Sequence, residues 1–103
     1  MKNDKIFEEY ISTDRLFHEP ARTSILALLY VVEEADFLFI KNKTGLSQGN
    51  LSSHLSKLEE TEIIEIEKTF KGKRPHTIVK LSRTGRLDFA GYINGLKKFI
   101  KNF

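Results

Sequence analysis

The stretch Thr44-Gly45-Leu46-Ser47-Gln48-Gly49-Asn50-Leu51-Ser52-Ser53-His54-Leu55-Ser56-Lys57-Leu58 holds one helix end, one tight turn and one helix start. Gly45 can enter the left-handed region without a side-chain clash, and helices commonly stop at such a residue. The Ser47 hydroxyl is suited to accept from the free N–H groups of a new first turn. Leu51, Leu55 and Leu58 then recur at i, i+4 and i+7, which predicts a helix over 48–61 with one buried stripe. Asn50 stands where a reciprocal capping box would place Glu or Gln, so the capping is one-sided.

Upstream, Asp36 can cap a short helix from Phe37 to Lys43. Before it, Ala21 to Val32 carries Ile25, Leu26, Leu28, Leu29, Val31 and Val32, apolar on nearly all sides, and reads as a central core helix. Pro20 is tolerated at its first turn, and Glu33-Glu34-Ala35-Asp36 breaks the run. Downstream of Leu58 the period changes. Ile63 to Phe70 reads as a strand, Lys71-Gly72-Lys73-Arg74-Pro75 as a turn and Thr77 to Leu81 as a second strand. Ser82 can cap a last helix from Arg83 to Asn102. A further amphipathic helix is expected over residues 3–12, from the spacing of Ile6, Phe7, Tyr10 and Ile11. The order helix, helix, tight turn, helix, hairpin, helix is that of a helix-turn-helix followed by a wing. The expected fold is mainly α with a small β-hairpin: a three-helix core, a wing and a long C-terminal helix, in one domain over 1–103.

On the helix over 48–61, Gly49, Ser53, Ser56, Lys57 and Glu60 fall opposite the leucine stripe, with Asn50 and Ser52 flanking them. Gln48 sits at the N-terminal tip, where a helix lying in a major groove presents its base-reading side chains. Any surface helix has a polar face, but one serving helix stability alone would favour Ala, Glu, Lys and Gln. A glycine and three serines instead allow close approach to a groove floor. Gln48, Asn50, Ser52, Ser53, Ser56 and Lys57 are therefore candidate DNA contacts. His54 borders the leucine stripe and is expected to be packed. At the hairpin tip, Lys71, Lys73 and Arg74 are candidates for following a phosphate backbone or entering a minor groove.

Charge points the same way. Residues 1–67 hold seven Lys/Arg against thirteen Asp/Glu, whereas residues 68–103 hold ten Lys/Arg against Asp88 alone. A polyanion approaching the C-terminal third fits that asymmetry. There is no cysteine, which excludes a disulfide framework, a zinc-finger ligand set and a thiolate nucleophile. The longest apolar run, Ile25 to Val32, is far shorter than the roughly 20 residues of a membrane span. No secretory signal is read at the N-terminus, and a cytoplasmic protein is expected. His18, His54 and His76 share no ligand spacing, and no phosphate cradle or nucleophile elbow occurs. No enzyme activity, cofactor or metal is expected.

Three segments resemble a known family. His18-Glu19-Pro20-Ala21-Arg22 with Ile25-Leu26-Ala27-Leu28-Leu29 is similar to the first-helix signature of MarR/ArsR-like winged-helix regulators. Gly49 to Glu60 resembles the recognition-helix motif of their small single-domain archaeal and bacterial members, and Leu81-Ser82-Arg83-Thr84-Gly85-Arg86 the junction that closes the wing. The resemblance spans about residues 16–100. It implies a homodimer that binds double-stranded DNA and regulates transcription. Two departures stand out: Glu62 occupies a position where the family commonly has glycine, and the cysteine-containing metal motif of the metal-sensing relatives is absent.

Self-association has its own signal. Phe89, Tyr92, Leu96, Phe99 and Phe103 follow a 3,4,3,4 spacing, and Ile93 and Ile100 widen the stripe. Together with Ile6, Phe7, Tyr10 and Ile11, the residues Phe89, Tyr92, Leu96, Phe99, Ile100 and Phe103 form the candidate dimer interface, with segments 1–13 and 87–103 contributing. The expectation is a homodimer with helix 48–61 in the major groove and wing 68–80 on the backbone or minor groove. The rival is a winged-helix module that binds proteins and not DNA. The operator, the sense of regulation and any effector are not legible.

Overall fold

The structure, a computed structural model, describes residues 16–103. Helix α1 spans Pro20–Val32, strand β1 Glu34–Asp36, helix α2 Phe37–Thr44 and helix α3 Gln48–Glu60. Strands β2 (Ile64–Lys71) and β3 (Arg74–Leu81) form the hairpin, and helix α4 covers Arg83–Ile100. The sheet is antiparallel in the order β1-β3-β2. The expected helix over 3–12, with Ile6, Phe7, Tyr10 and Ile11, lies outside the described residues.

Each helix start has an identifiable cap. Asp36 accepts from the Phe39 N–H at 2.7 Å, Ser47 from Asn50 at 3.2 Å and Ser82 from Gly85 at 2.9 Å. At α1 the cap is Glu19, whose carboxylate accepts from the Arg22 N–H at 3.0 Å just ahead of Pro20. That backbone hydrogen bond is the main reason the Glu19 carboxyl lies below its ordinary pKa, against an opposing effect of burial.

Phe17, Ile25, Leu26, Leu29, Ile40, Leu51, Leu55, Leu58, Val79, Leu81 and Phe89 make up most of one continuous core. Phe17, just ahead of α1, is buried with its ring edge-on to Phe89 at 5.9 Å and tilted on Tyr92 at 5.6 Å. Arg86 ties α4 to α1, its guanidinium 4.8 Å above the Tyr30 ring and donating to the Tyr30 carbonyl at 3.3 Å.

Four expectations need correction. Glu33-Glu34-Ala35-Asp36 does more than break the apolar run: Glu34, Ala35 and Asp36 pair with Lys80, Val79 and Ile78 as a third strand. The turn at the wing tip is tighter than Lys71 to Pro75, because Lys71 pairs with Arg74 and only Gly72-Lys73 remain outside the ladder. Pro75 is tolerated inside β3 because β1 reaches only Ile78 to Lys80, leaving one side of β3 open there. Helix α1 is not buried all round. Ile25, Leu26 and Leu29 face the core, but Val31 is 78% exposed.

The fourth correction concerns α4. Phe89 and Tyr92 are 1% and 6% exposed within their own chain, so they belong to the core and not to a surface open to a partner. Leu87, by contrast, is exposed. Beyond Tyr92 no residue of α4 is buried. Leu96 and Phe99 are half-buried, Ile100 is 58% exposed and Phe103, after the helix, 92% exposed.

Candidate nucleic-acid interface

The turn between α2 and α3 is built as its composition requires. Gly45 has φ +73 and donates to the Lys41 carbonyl at 2.9 Å, closing α2 in the left-handed conformation. Thr44 supports it, its hydroxyl donating to the Ile40 carbonyl at 2.7 Å. Two residues after Gly45, Ser47 starts α3. The turn therefore sets α3 at a fixed angle to α2, with Ile40 and Leu51 both buried behind it.

Helix α3 buries Leu51, Leu55 and Leu58, and Gln48, Asn50, Ser52, Ser53, Ser56 and Lys57 are all exposed. His54 is half-buried and accepts from the Arg22 Nε–H at 3.3 Å, while its Nε2 lies 3.7 Å from the Glu19 carboxylate. Arg22 also donates to the Leu16 carbonyl at 3.2 Å. The histidine therefore anchors α3 to the start of α1, in keeping with its place beside the leucine stripe.

The far end of α3 closes on a left-handed residue. Glu62 has φ +62, with its N–H on the Glu59 carbonyl and the Ile63 N–H on the Leu58 carbonyl, both at 3.0 Å. This is the two-bond Schellman arrangement, usually given to glycine, and Leu58 and Ile63 supply its buried contact. The carbonyls it presents are used at once. Ser82 donates its N–H to the Ile63 carbonyl at 3.0 Å and its hydroxyl to the Glu62 carbonyl at 2.6 Å. Gly85 packs directly on this joint, and a Cβ there would lie 2.0 Å from the Ile63 oxygen. Helix α3, the wing base and α4 thus meet in one hydrogen-bonded joint.

At the hairpin tip Lys71, Lys73 and Arg74 are all exposed, and Lys71 and Arg74 share a cavity rim with Asp36, Phe37 and Leu38. Lys68, on the β2 arm, is exposed as well. The base of the same sheet has the opposite sign. Register places Glu34, Lys80 and Glu65 in one row and Asp36, Ile78 and Glu67 in another. Lys80 meets Glu65 at 3.5 Å, leaving its row acidic on balance. The wing is consequently polarised, with cations at the tip and carboxylates at the root. Such a gradient orients the molecule on a polyanion tip-first.

All nine residues read as DNA contacts are exposed, six on α3 and three at the wing tip. The structure disperses the dimer candidates: Phe89 and Tyr92 go to the core, Leu96, Phe99, Ile100 and Phe103 to the outer part of α4 and its end. Phe70, read from the sequence as a strand residue either packed or in partial contact with a partner, is 71% exposed beside the tip cations. Its alternation with Ile64 and Ile66 suggests burial, and nothing local shows that the hairpin outruns the core by that point.

Comparison with known proteins places these features. The family model described as a winged helix DNA-binding domain matches residues 21–100. An uncharacterized protein of Methanocaldococcus jannaschii is 40% identical over 88 residues, covering 85% of this chain and 96% of the relative. Among solved structures, a transcriptional regulator homologue from Pyrococcus horikoshii OT3 superposes with a TM-score of 0.88 at 26% identity, covering 95% and 96% of the two chains. A MarR family transcriptional regulator from Silicibacter pomeroyi shares the fold, with a TM-score of 0.68 at 18% identity over 97% of this chain and 64% of its own. Among the described residues no helix is long and apolar enough to cross a membrane.

Proposed function

The chain belongs to the winged helix DNA-binding domain family, and from that premise we propose that it is a homodimeric regulator of transcription that reads double-stranded DNA. Helix α3 enters the major groove, with Gln48, Asn50 and Ser53 at base edges and Ser52, Ser56 and Lys57 toward the flanking phosphates. Lys71, Lys73 and Arg74 hold the backbone or minor groove beside it. One observation carries the reading: an exposed small-polar helix face and an exposed cationic wing belong to one rigid joint through Ser82. Two such units give a palindromic site one reading helix per half-site.

Alanine at Gln48, Asn50 and Ser53 is the test of base reading. Removing a specific base contact should cost about 1–3 kcal/mol on a duplex selected by the unaltered protein, and much less on random duplex. Equal losses on both duplexes would reject reading by α3. Failure of the unaltered protein to bind any duplex would favour a module that binds proteins.

A further inference from the structure

Alternate residues of a strand share a face. In β2, Ile64, Ile66, Lys68 and Phe70 lie on one face of the hairpin, paired in β3 with Leu81, Val79, Thr77 and Pro75. At the root this is the core face: Ile64, Val79 and Leu81 are buried and Ile66 is packed against them. Four residues beyond Ile66, Phe70 stands 71% exposed directly opposite the exposed Pro75. Along the hairpin the charged residues flanking this apolar pair are cations, while Asp36 shares a cavity rim with Lys71, Arg74 and Pro75. Lys68, Lys71, Lys73 and Arg74 are exposed, and the chain contains no acid from Lys68 to Leu87.

A large ring held out on a two-stranded arm adds little to a core it does not reach. Its position within a predominantly cationic rim selects the partner by charge complementarity: a polyanion with an apolar interior. Duplex DNA offers that combination in a minor groove, whose potential attracts Lys and Arg and whose base steps admit apolar wedges such as Phe and Pro. We propose that Phe70, with Pro75 beside it, is a wedge that the wing inserts into the minor groove at a deformable pyrimidine–purine step. The proposal rests on the DNA-binding reading above and adds to it a residue that selects sites by the ease of unstacking a step. The cations bring the wing to the groove, and the ring discriminates between sequences the wing never hydrogen-bonds.

The probe is a duplex selected from a random pool by the unaltered protein, remade with 2-aminopurine at successive adenine positions. Binding of the unaltered protein should raise the fluorescence at one step under the wing, as that base unstacks. Phe70→Ala should abolish the rise and weaken binding on the order of tenfold, with the salt slope unchanged because the net charge stays the same. Phe70→Leu, still apolar and strand-compatible, should keep part of both effects, and thermal unfolding of each variant checks that the fold is intact. If the unaltered protein binds but Phe70→Ala binds equally well, or if no step brightens, the wedge is overturned while DNA binding stands. A changed sedimentation coefficient for Phe70→Ala would place the ring between two copies and also overturn it. No binding by the unaltered protein to any duplex would remove the DNA reading itself, and the wedge with it.

Discussion

Two glutamates, Glu33 and Glu62, hold positive φ, at +72 and +62. A β-carbon in that region meets the backbone, so each position stores on the order of 1 kcal/mol that glycine would avoid. At Glu62 the strain is maintained by a double-bonded helix end and by Ser82, which captures the carbonyls of residues 62 and 63. Glu62→Gly should therefore stabilise the protein by about 1 kcal/mol in a denaturant titration, with the unfolding slope unaltered. A loss of stability would show that the Glu62 side chain contributes more than its conformation costs. His54 makes a related point about residue-level reading. Its wheel position beside the leucines is sufficient to place it in the packing between α3 and α1, and Arg22 supplies the partner that the wheel cannot name.

At the scale of elements, the helix starts are legible because caps act locally: Asp36, Ser47 and Ser82 all accept the expected N–H groups. The Glu19 cap and strand β1 are not. A three-residue strand has no periodicity to detect, and Glu34-Ala35-Asp36 is held by the ladder of β3, far along the chain. Composition marks the wing but draws its turn too wide, because Lys, Arg and Pro suggest loop wherever cross-strand pairing is unknown. The polarity of that hairpin leads to a prediction. Replacing Lys71, Lys73 and Arg74 together by alanine should weaken binding to selected and random duplexes alike. It should also flatten the dependence of log K on log salt by up to about 0.9 for every phosphate the wing ceases to neutralise. An unchanged slope would show that the wing does not touch the backbone.

At the scale of the molecule, four helices and a three-stranded sheet bury one core, and the outer part of α4 runs on past it. Sequence periodicity alone treats Phe89, Tyr92, Leu96, Phe99 and Phe103 as one stripe, but three-dimensional packing divides it at Tyr92. The inner part closes the subunit against Phe17, and the outer part is at most half-buried. Burial of a Leu or Phe contributes about 1.5–3 kcal/mol, and a two-fold axis counts each residue twice. Leu96→Glu combined with Phe99→Glu should thus convert a dimer to monomers in sedimentation and lower affinity for a two-half-site duplex steeply, while the fold of each subunit persists. An unaltered protein that sediments as a monomer at micromolar concentration would remove the two-groove arrangement. Joint action of α3 and the wing on DNA is directly measurable. Binding of the unaltered protein should be compared across a salt series on a duplex selected from random sequence and on a scrambled duplex of the same composition. Affinity should fall linearly in log K against log salt on both, with the selected duplex bound at least about a thousandfold more tightly. Equal affinity on the two duplexes, or no binding to either at low salt, would contradict that joint action.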